Sequence, residues 1–311
     1  MAAAALASRG FGLGRPGWRA KADVVRTVFV ARIKIIARYK GAIFMESLIP
    51  IVFAAMPVLL GTSVAGGDPA EAFCRTLVAG GGTTLPPGAR CVDLYPTFGN
   101  YKLYMLIGAS TFTVVSLMLW LIGYWVRREQ ETGTLESLYL APAGRFWVLV
   151  GVSGYAFVRA MIAFVIAILL GSLVFQVNPF QEGLGLALVF LVIGFFPLWG
   201  LAFLFGAFIM KIKEADSVIQ VLQWGLAFLM GVCYPIVLLP PFLRVLAGSF
   251  PPTVMTDAVR ASILNINYFY GSMYGSLAVL FAMAIVMPLL GYEVFEVTER
   301  RLKKREGVGQ Y

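Results

Sequence analysis

The chain has 311 residues, of which 59% are apolar and only 13% are charged, and it contains no histidine. Soluble domains are about 45–50% apolar and about 25% charged, so this composition excludes an ordinary soluble globule and also a disordered chain. The net charge is +9, but the positions of the charges along the chain matter more than their sum.

The first predicted element is a basic amphipathic helix at residues 18–40. Val24, Val28 and Ile35 share one apolar arc at helical spacing, while most of the Arg and Lys residues lie opposite. Arg32 falls on the apolar arc and interrupts this pattern. A helix of this kind lies in the membrane surface, either as a simple topology anchor or as part of a gating mechanism.

Long apolar windows follow along the chain. Five of them contain no Asp, Glu, Lys or Arg, and a sixth contains only Glu46. A membrane-spanning helix needs about 20 mostly apolar residues. The windows are apolar on all sides rather than alternating, which favours helices over the strands of a barrel. We therefore predict six membrane-spanning helices, at residues 42–64, 103–126, 149–176, 184–209, 218–239 and 272–294.

The basic residues predict the orientation of these spans. Nineteen of the 25 Lys and Arg residues lie in the connections of one side and five in those of the other. An excess of basic residues marks the cytoplasmic side, so we expect both tails, at residues 1–17 and 296–311, in the cytoplasm and the spans in the cell membrane. The positive net charge then mainly reflects the basic residues that orient the spans and face anionic lipid on the cytoplasmic side. We therefore expect no nucleic-acid partner.

The first external loop, at residues 65–102, is long, rich in Gly and Pro, and contains Cys74 and Cys91. Because non-cytoplasmic compartments permit disulfides, two cysteines in one such loop predict a bridge, with two free thiols as the alternative. The third cysteine, Cys233, sits in an apolar span and is predicted to be a small buried residue.

Two charged residues, Glu46 and Arg159, lie well inside the apolar windows, toward the cytoplasmic ends of their spans. In one interpretation each side chain reaches the inner surface alone. In the other, the two pair with each other or Arg159 contacts an anionic substrate group. They are our candidate pathway or intramembrane charges. The scarcity of intramembrane acids disfavours a proton- or sodium-driven carrier.

The sequence predicts a short helix in the cytoplasmic segment between the second and third predicted spans. Thr134 can cap its N-terminus, Glu136 suits the first turn, and Pro142 ends it. Two turns are too short to be stable alone in water, so either the lipid surface or another protein must hold this helix. Because both of its ends are tethered to spans, a push on it would reach the second and third spans.

The last external segment, at residues 240–271, holds external helices within 240–265 and is interrupted by proline pairs at 240–241 and 251–252. Each pair ends one helix and can start another. We predict two short helices, at residues 242–248 and 253–265, that lie at the outer surface or dip into it. The rim of an exit and simple interfacial packing are both open interpretations.

The sequence lacks the motifs of an enzyme. It has no phosphate loop of the form G-x-x-x-x-G-K-[ST], no H-E-x-x-H motif and no G-x-S-x-G elbow. Without histidine a His-dependent triad is impossible, and no cysteine pair is spaced for zinc. We therefore expect no catalytic residue and no metal site in this chain.

The short cytoplasmic helix resembles that of the type-2 ABC exporter permeases, which reads approximately E-x-E-x-G-T-L-E-x-L-x-x-x-P. The matching residues are Glu129, Glu131, Gly133, Thr134, Leu135, Glu136, Leu138 and Pro142. A second stretch resembles the family's G-x-x-[FY]-P-[IV]-x-x-[LM]-P, followed after a gap by Pro and D-x-x-R. Its matching residues are Gly231, Tyr234, Pro235, Ile236, Leu239, Pro240, Pro251, Pro252, Asp257 and Arg260. The long first external loop departs from the shorter members of the family.

The resemblance implies an all-α integral membrane protein with the type-2 ABC exporter fold. A single permease domain would occupy residues 18–295, and the 18–40 helix would be an interfacial helix of the docking region. The chain would be the membrane-spanning subunit of an ATP-driven exporter, paired with a second copy or a homologue. Two separate ATP-binding subunits would bind ATP and Mg²⁺, so this chain would bind no cofactor.

The resemblance also implies roles for particular residues. The segment 129–141 would be the coupling helix, which sits in a cleft of the ATPase. The residues that would couple to the ATPase are Glu129, Glu131, Thr132, Gly133, Thr134, Leu135, Glu136, Leu138 and Tyr139. The family motif near the last external helices would comprise Gly231, Tyr234, Pro235, Pro240, Asp257 and Arg260.

Two other functions stay open beside the exporter. One is an ATP-independent secondary carrier or channel, and the other is a non-transporting membrane anchor for an ATPase. For an exporter, the apolar interior favours a hydrophobic or amphipathic substrate, and the related permeases handle drugs, lipids, peptides and glycans.

Overall fold

The structure of the chain is a computed structural model that describes residues 17–64, 98–125, 128–129, 145–209 and 215–306. Throughout these ranges the secondary structure is helical, with no strand. In chain order the helices are α1 (Trp18–Arg38), α2 (Lys40–Val64), α3 (Phe98–Met118), α4 (Arg145–Phe175), α5 (Leu184–Ile209), α6 (Ala215–Leu229), α7 (Pro241–Gly248), α8 (Pro251–Leu264) and α9 (Met273–Glu306). A π-helical turn (Leu119–Gly123) continues α3, and a 3₁₀ turn (Ile236–Leu238) precedes α7.

Helices α2, α3, α4, α5 and α9 are long and apolar enough to cross a membrane. They coincide with five of the six predicted spans, and their ends differ from the predicted ends mostly by a few residues. The described part of the chain is thus that of a multi-pass helical membrane protein. Helix α9 continues past its apolar part to Glu306, which makes it the longest described helix.

The one remaining predicted span, at residues 218–239, is not confirmed. The sequence predicts one helix over residues 218–239, but α6 ends at Leu229 after 15 residues. Such a helix is roughly 22 Å long, whereas the hydrocarbon core is about 30 Å thick. The helix stops because Gly231 adopts a left-handed backbone with φ +59°, which terminates helices, and Pro235 follows. Hydropathy does not register this break, because the residues around it are apolar.

The two short helices predicted after the proline pairs are present as α7 and α8. Helix α7 exposes an apolar face that includes Phe242 and Val245. Helix α8 is covered by protein, because all of its residues except Asp257 are buried. Its Met255 packs against Gly194 of α5, where an added Cβ would meet the methionine sulfur at 2.5 Å.

Helix α1 is present as predicted, but its apolar arc contacts protein. Its residues Val25 and Val28 pack against Gly151 of α4, and Phe29 packs against Gly154. The basic side chains opposite this arc are exposed, namely Arg19, Arg26, Lys34 and Arg38. The helix therefore packs its apolar side against the start of α4, and its basic side is exposed.

Helices α5 and α9 form the closest helix pair. A Cβ added at Gly291 of α9 would lie 2.2 Å from the carbonyl oxygen of Gly200 on α5. Such small residues let helix backbones approach closely, which is how helices gain packing energy in lipid. Phe295 of α9 extends the contact to Phe203 of α5, with ring centroids 5.7 Å apart.

Candidate functional site

Besides an ion pair between α2 and α4, the described structure holds three polar clusters, of which two lie toward the predicted cytoplasmic end. The first joins α1 to the segment that follows α3, through an ion pair in which an Arg32 nitrogen lies 3.5 Å from a Glu129 oxygen. This pair accounts for the position of Arg32 on the apolar arc, because the arc faces the protein and Glu129 is there to receive the charge. The other predicted coupling residues, Glu131, Thr132, Gly133, Thr134, Leu135, Glu136, Leu138 and Tyr139, lie outside the described residues.

Glu46 of α2 and Arg159 of α4 form a hydrogen-bonded ion pair between neighbouring spans. The Arg159 Nε–H donates to Glu46 Oε2 at 3.0 Å, and a second guanidinium nitrogen donates to Glu46 Oε1. Tyr155, one turn earlier on α4, accepts a further hydrogen bond from Arg159 at 2.8 Å. Of the two interpretations of these charges, the structure thus shows the pair. Because a charge in the membrane is costly unless it is partnered, each residue satisfies the other.

The second inner cluster links α3 to α6 through the side chain of Gln223. The Trp120 Nε1–H donates to Gln223 Oε1 at 2.9 Å, and Gln223 Nε2 donates to Ser116 Oγ at 2.6 Å. Ser116 belongs to the α-helical part of α3, whereas Trp120 belongs to the π turn. One amide therefore bridges the junction between the two kinds of helix.

An apolar cluster packs against Trp120, the donor to this amide. Tyr124, which follows the π turn, packs with Ile209 at the end of α5 and Ile219 near the start of α6. The Trp120 and Tyr124 rings lie 5.7 Å apart. The end of α3, the end of α5 and the start of α6 thus meet immediately before the segment that leads to Glu129.

The third cluster lies at the other end of α6 and is centred on Arg260 of α8, which is 1% exposed. Its guanidinium donates to the carbonyl oxygens of Gly231 at 2.8 Å and Val232 at 2.6 Å. The guanidinium carbon also lies 3.9 Å from the centre of the Tyr104 ring. A buried cation stacked on an aromatic face is strongly held, and here it caps carbonyls that follow the end of α6.

Glycine at position 108 of α3 makes room for Arg260. A Cβ at Gly108 would come within 1.7 Å of an Arg260 nitrogen and 2.4 Å of the Val232 carbonyl oxygen. Among the described residues the buried Arg260 Nε atom has no hydrogen-bond partner, whereas the other two guanidinium nitrogens bond carbonyls. The cluster is closely packed, and two carbonyls and an aromatic face hold its charge.

The remaining motif residues surround this cluster. Asp257, one turn before Arg260, accepts the Phe269 backbone N–H at 2.8 Å. Burial raises the pKa of Asp257 to about 6, although the Phe269 amide and the Arg260 guanidinium both favour its charged form. The Tyr234 hydroxyl donates to the Phe228 carbonyl at 2.5 Å. Pro235 and Pro240 flank the 3₁₀ turn before α7.

The cysteines are only partly described. Cys74 and Cys91 lie outside the described residues, so their bridge stays a prediction. Cys233 is a free thiol that is partly buried. In the described ranges, His, Cys, Asp and Glu residues nowhere form a group of three that could hold a metal ion.

Several residues of these clusters were not identified from the sequence. Tyr104 and Gly108 of α3 contact Arg260 of α8. A contact between residues so far apart in the chain leaves no recognisable local pattern in the sequence. Gln223 does have one, because it is an amide in a window without charged residues, and an amide in lipid needs a partner.

The chain was compared with known proteins. No family model matches it, and no curated protein matches it. The functional conclusion therefore rests on the residues of the chain and their geometry.

Proposed function

We propose that the chain is the membrane-spanning permease subunit of an ATP-driven exporter of the type-2 ABC class. It would move a hydrophobic or amphipathic substrate out of the cytoplasm or the inner leaflet of the cell membrane. The observation that carries this proposal is the contact between Gly231 and Arg260, which stand 29 residues apart in the chain. They belong to the second motif that resembles the family, and their direct bond supports treating that motif as one structural unit.

A contact at the predicted cytoplasmic end of the helices supports the same proposal. The ion pair of Arg32 and Glu129 ties α1 to the start of the proposed coupling helix, residues 129–141. That segment lies in the chain between α3 and α4, so a force on it would act on both spans and, through Arg32, on α1. Two ATP-binding subunits would supply this force, and a second permease copy or a homologue would complete the pathway.

The pair of Glu46 and Arg159 favours an ATP-driven exporter over a carrier driven by an ion gradient. Such carriers usually keep ionisable groups at the midplane for the coupling ion. Here each of these two charges is already bonded to the other. The pair therefore offers no free carboxylate to a proton or a sodium ion.

The test is affinity purification of the full chain from its native membranes in mild detergent, followed by mass spectrometry and reconstitution. We expect a stoichiometric subunit that bears a phosphate-loop motif, and ATP-dependent transport by the reconstituted complex. Glu131→Arg should lower the substrate moved per ATP hydrolysed by at least about tenfold, because it reverses a charge at the proposed ATPase contact.

Glu182→Arg is the matched control, because Glu182 is an exposed glutamate in the turn before α5, at the opposite end of the bundle. This variant should transport as the natural chain does. A solitary oligomer in several detergents would favour the carrier or channel. An ATPase that co-purifies without any transport would favour the membrane anchor.

A further inference from the structure

Helix α6 ends inside the membrane and does not reach its outer boundary. Four charged residues stand at or just before its start in the sequence, namely Lys211, Lys213, Glu214 and Asp216. Because charges are costly in the hydrocarbon core, the start of α6 lies at or below the predicted cytoplasmic boundary of that core. The helix has 15 residues and is roughly 22 Å long. Its last residue, Leu229, therefore stops roughly 8 Å or more below the outer boundary of a core about 30 Å thick.

Helix α7 packs beside this end of α6. Its buried side carries Leu243 and Ala247, which share an apolar cluster with Leu229. The ring of Phe228, in the last turn of α6, lies 5.8 Å from the ring of Tyr234, and Tyr234 packs on the same cluster. Helix α7 is thus held close to the depth at which α6 ends, in the outer part of the hydrocarbon core.

The other side of α7 is apolar and exposed. Phe242 and Val245 are 71% and 73% exposed, and Leu246 is 45% exposed. These three residues share one arc of the helix, which faces away from the cluster that holds α7. Helix α6 likewise exposes Val221 and Trp224. Two neighbouring helices therefore present apolar side chains outward, and an exposed patch of this kind marks a surface that meets a membrane or another protein.

The charged residue of α7, Arg244, is turned toward the protein. Its guanidinium donates to the carbonyl oxygens of Val237 and Leu239, the latter at 3.1 Å. In a continuing 3₁₀ or α-helix the Val237 carbonyl would be bonded by residue 240 or 241, but Pro240 and Pro241 have no backbone N–H. Because an unpaired carbonyl is costly in hydrocarbon, Arg244 supplies a donor where the prolines cannot.

We propose that α7 is immersed in the outer leaflet, with Phe242, Val245 and Leu246 among the acyl chains of phospholipids. Arg244 is the positioning residue that satisfies the neighbouring carbonyls at this depth. The short length of α6, the apolar exposed side of α7 and the inward bonds of Arg244 together carry the proposal. It does not depend on the proposed function, because the same lipid contact would serve an exporter, a carrier or a membrane anchor.

Depth-dependent fluorescence quenching tests the contact with lipid. The full chain with Phe242→Cys or Val245→Cys is labelled with bimane and reconstituted into phosphatidylcholine vesicles. The lipid carries bromine, which quenches bimane on contact, either near the headgroup or near the bilayer centre. The natural chain, treated identically, gives the background from its own three cysteines. Leu289→Cys is the positive control, because Leu289 is an exposed residue of the membrane-crossing helix α9. Glu182→Cys, in an exposed turn before α5, is the negative control.

Both labels on α7 should be quenched at least about threefold more strongly than the label at residue 182, because an immersed amphipathic helix lies about 5–10 Å into the boundary of headgroups and acyl chains. Bromine near the headgroup should quench them more than bromine near the bilayer centre. Absence of quenching with the emission of water-exposed bimane would overturn the proposal. Absence of quenching with the emission of a buried dye would also overturn it, because protein would then cover α7. Cross-linking of Phe242→Cys between two chains would identify that protein as a second copy.

Arg244→Met tests the positioning role, because it keeps an apolar side chain and removes the donors. We expect quenching of the label at residue 242 to fall at least about threefold, since the carbonyls of Val237 and Leu239 then require water. Arg301→Met is the matched control, because Arg301 is an exposed arginine beyond the apolar part of α9, and it should leave the quenching unchanged. If Arg244→Met does not insert, Arg244→Gln gives the same comparison with a partial loss. Quenching equal to that of Arg301→Met overturns the role of Arg244.

Discussion

The apolar spans of helices α3 and α9 have similar lengths and nearly equal hydropathy, yet they occupy opposite environments. In the most apolar window of α3, 78% of the residues are buried inside the protein, whereas in that of α9 only 11% are buried. Helix α3 contacts its neighbours on several sides, and α9 is attached to α5 along the seam of Gly200 and Gly291. Hydropathy thus identifies a membrane span but does not tell whether that span faces lipid or protein.

Polar side chains distinguish the two helices. The Tyr101 hydroxyl of α3 donates to the Pro57 carbonyl of α2 at 2.6 Å, and Lys102 reaches the Phe175 carbonyl of α4 at 3.3 Å. Ser116 receives Gln223 of α6. The Tyr101 side chain is fully buried, and a polar group inside the protein or the membrane needs a partner. A span with several hydroxyls or amides is therefore expected at the centre of a bundle, and one with few is expected at its edge.

The largest loss of stability is expected from a substitution that disrupts the packing around α3. Gly108→Ala places a methyl group where the Arg260 guanidinium and the Val232 carbonyl now lie. Neither can move without leaving a buried cation or carbonyl unpaired, so we expect a loss of about 4 kcal/mol or more. The measurement is the thermal unfolding midpoint and the yield of monodisperse chain in mild detergent. Gly225→Ala, at a site with open space, should be neutral, and equal behaviour of the two variants would contradict the packing described.

An intermediate effect is expected at the attachment of α9. Gly291→Ala forces α9 away from the Gly200 backbone, and we expect a cost of about 2–3 kcal/mol. The control on the same helix is Leu289→Ala, because Leu289 is 62% exposed and should change stability by less than about 0.5 kcal/mol. Thermal unfolding in the same detergent compares them. A larger cost for Leu289→Ala than for Gly291→Ala would show that α9 is attached through its other face.

A smaller effect tests a polar contact that does not involve α3. Arg159→Met leaves Glu46 without its partner, and we expect the free energy of unfolding to fall by about 2 kcal/mol. This is less than for a fully buried ion pair, because both side chains are partly exposed. Adding Glu46→Gln should recover part of this loss, since no charge then remains unpaired. Tyr155→Phe removes one hydrogen bond and serves as the mild control. If the double variant were as unstable as the sum of the two single ones, the pair would have no energetic coupling.

Most of the spans could be predicted from the sequence, because a window of about 20 apolar residues without charge is typical of membrane-spanning helices. The predicted span at residues 218–239 is not confirmed, because Gly231 and Pro235 end the helix inside an apolar stretch. The sequence also does not decide between the two placements of α8, because burial among other helices depends on contacts that are distant in the chain. For the candidate sites, Glu46 and Arg159 stand out in the sequence as charges inside apolar windows, and Arg260 stands out only as part of the second motif. Their partners Tyr155, Tyr104 and Gly108 do not, since tyrosine and glycine are ordinary residues of a span.

The central position of α3 has a consequence for biosynthesis. Trp120 and its partner Gln223 are 103 residues apart in the chain, and Arg260 is made later still. Membrane proteins are inserted from the N-terminus as they are synthesised, so α3 enters the membrane before α6 and α8 exist. Until α6 and α8 are inserted, the polar side chains of α3 lack their final partners, and α2 or the insertion machinery must shield them from lipid. A nascent chain stopped before residue 215 should therefore be a preferred client of membrane chaperones, and one that extends past residue 264 should be released from them.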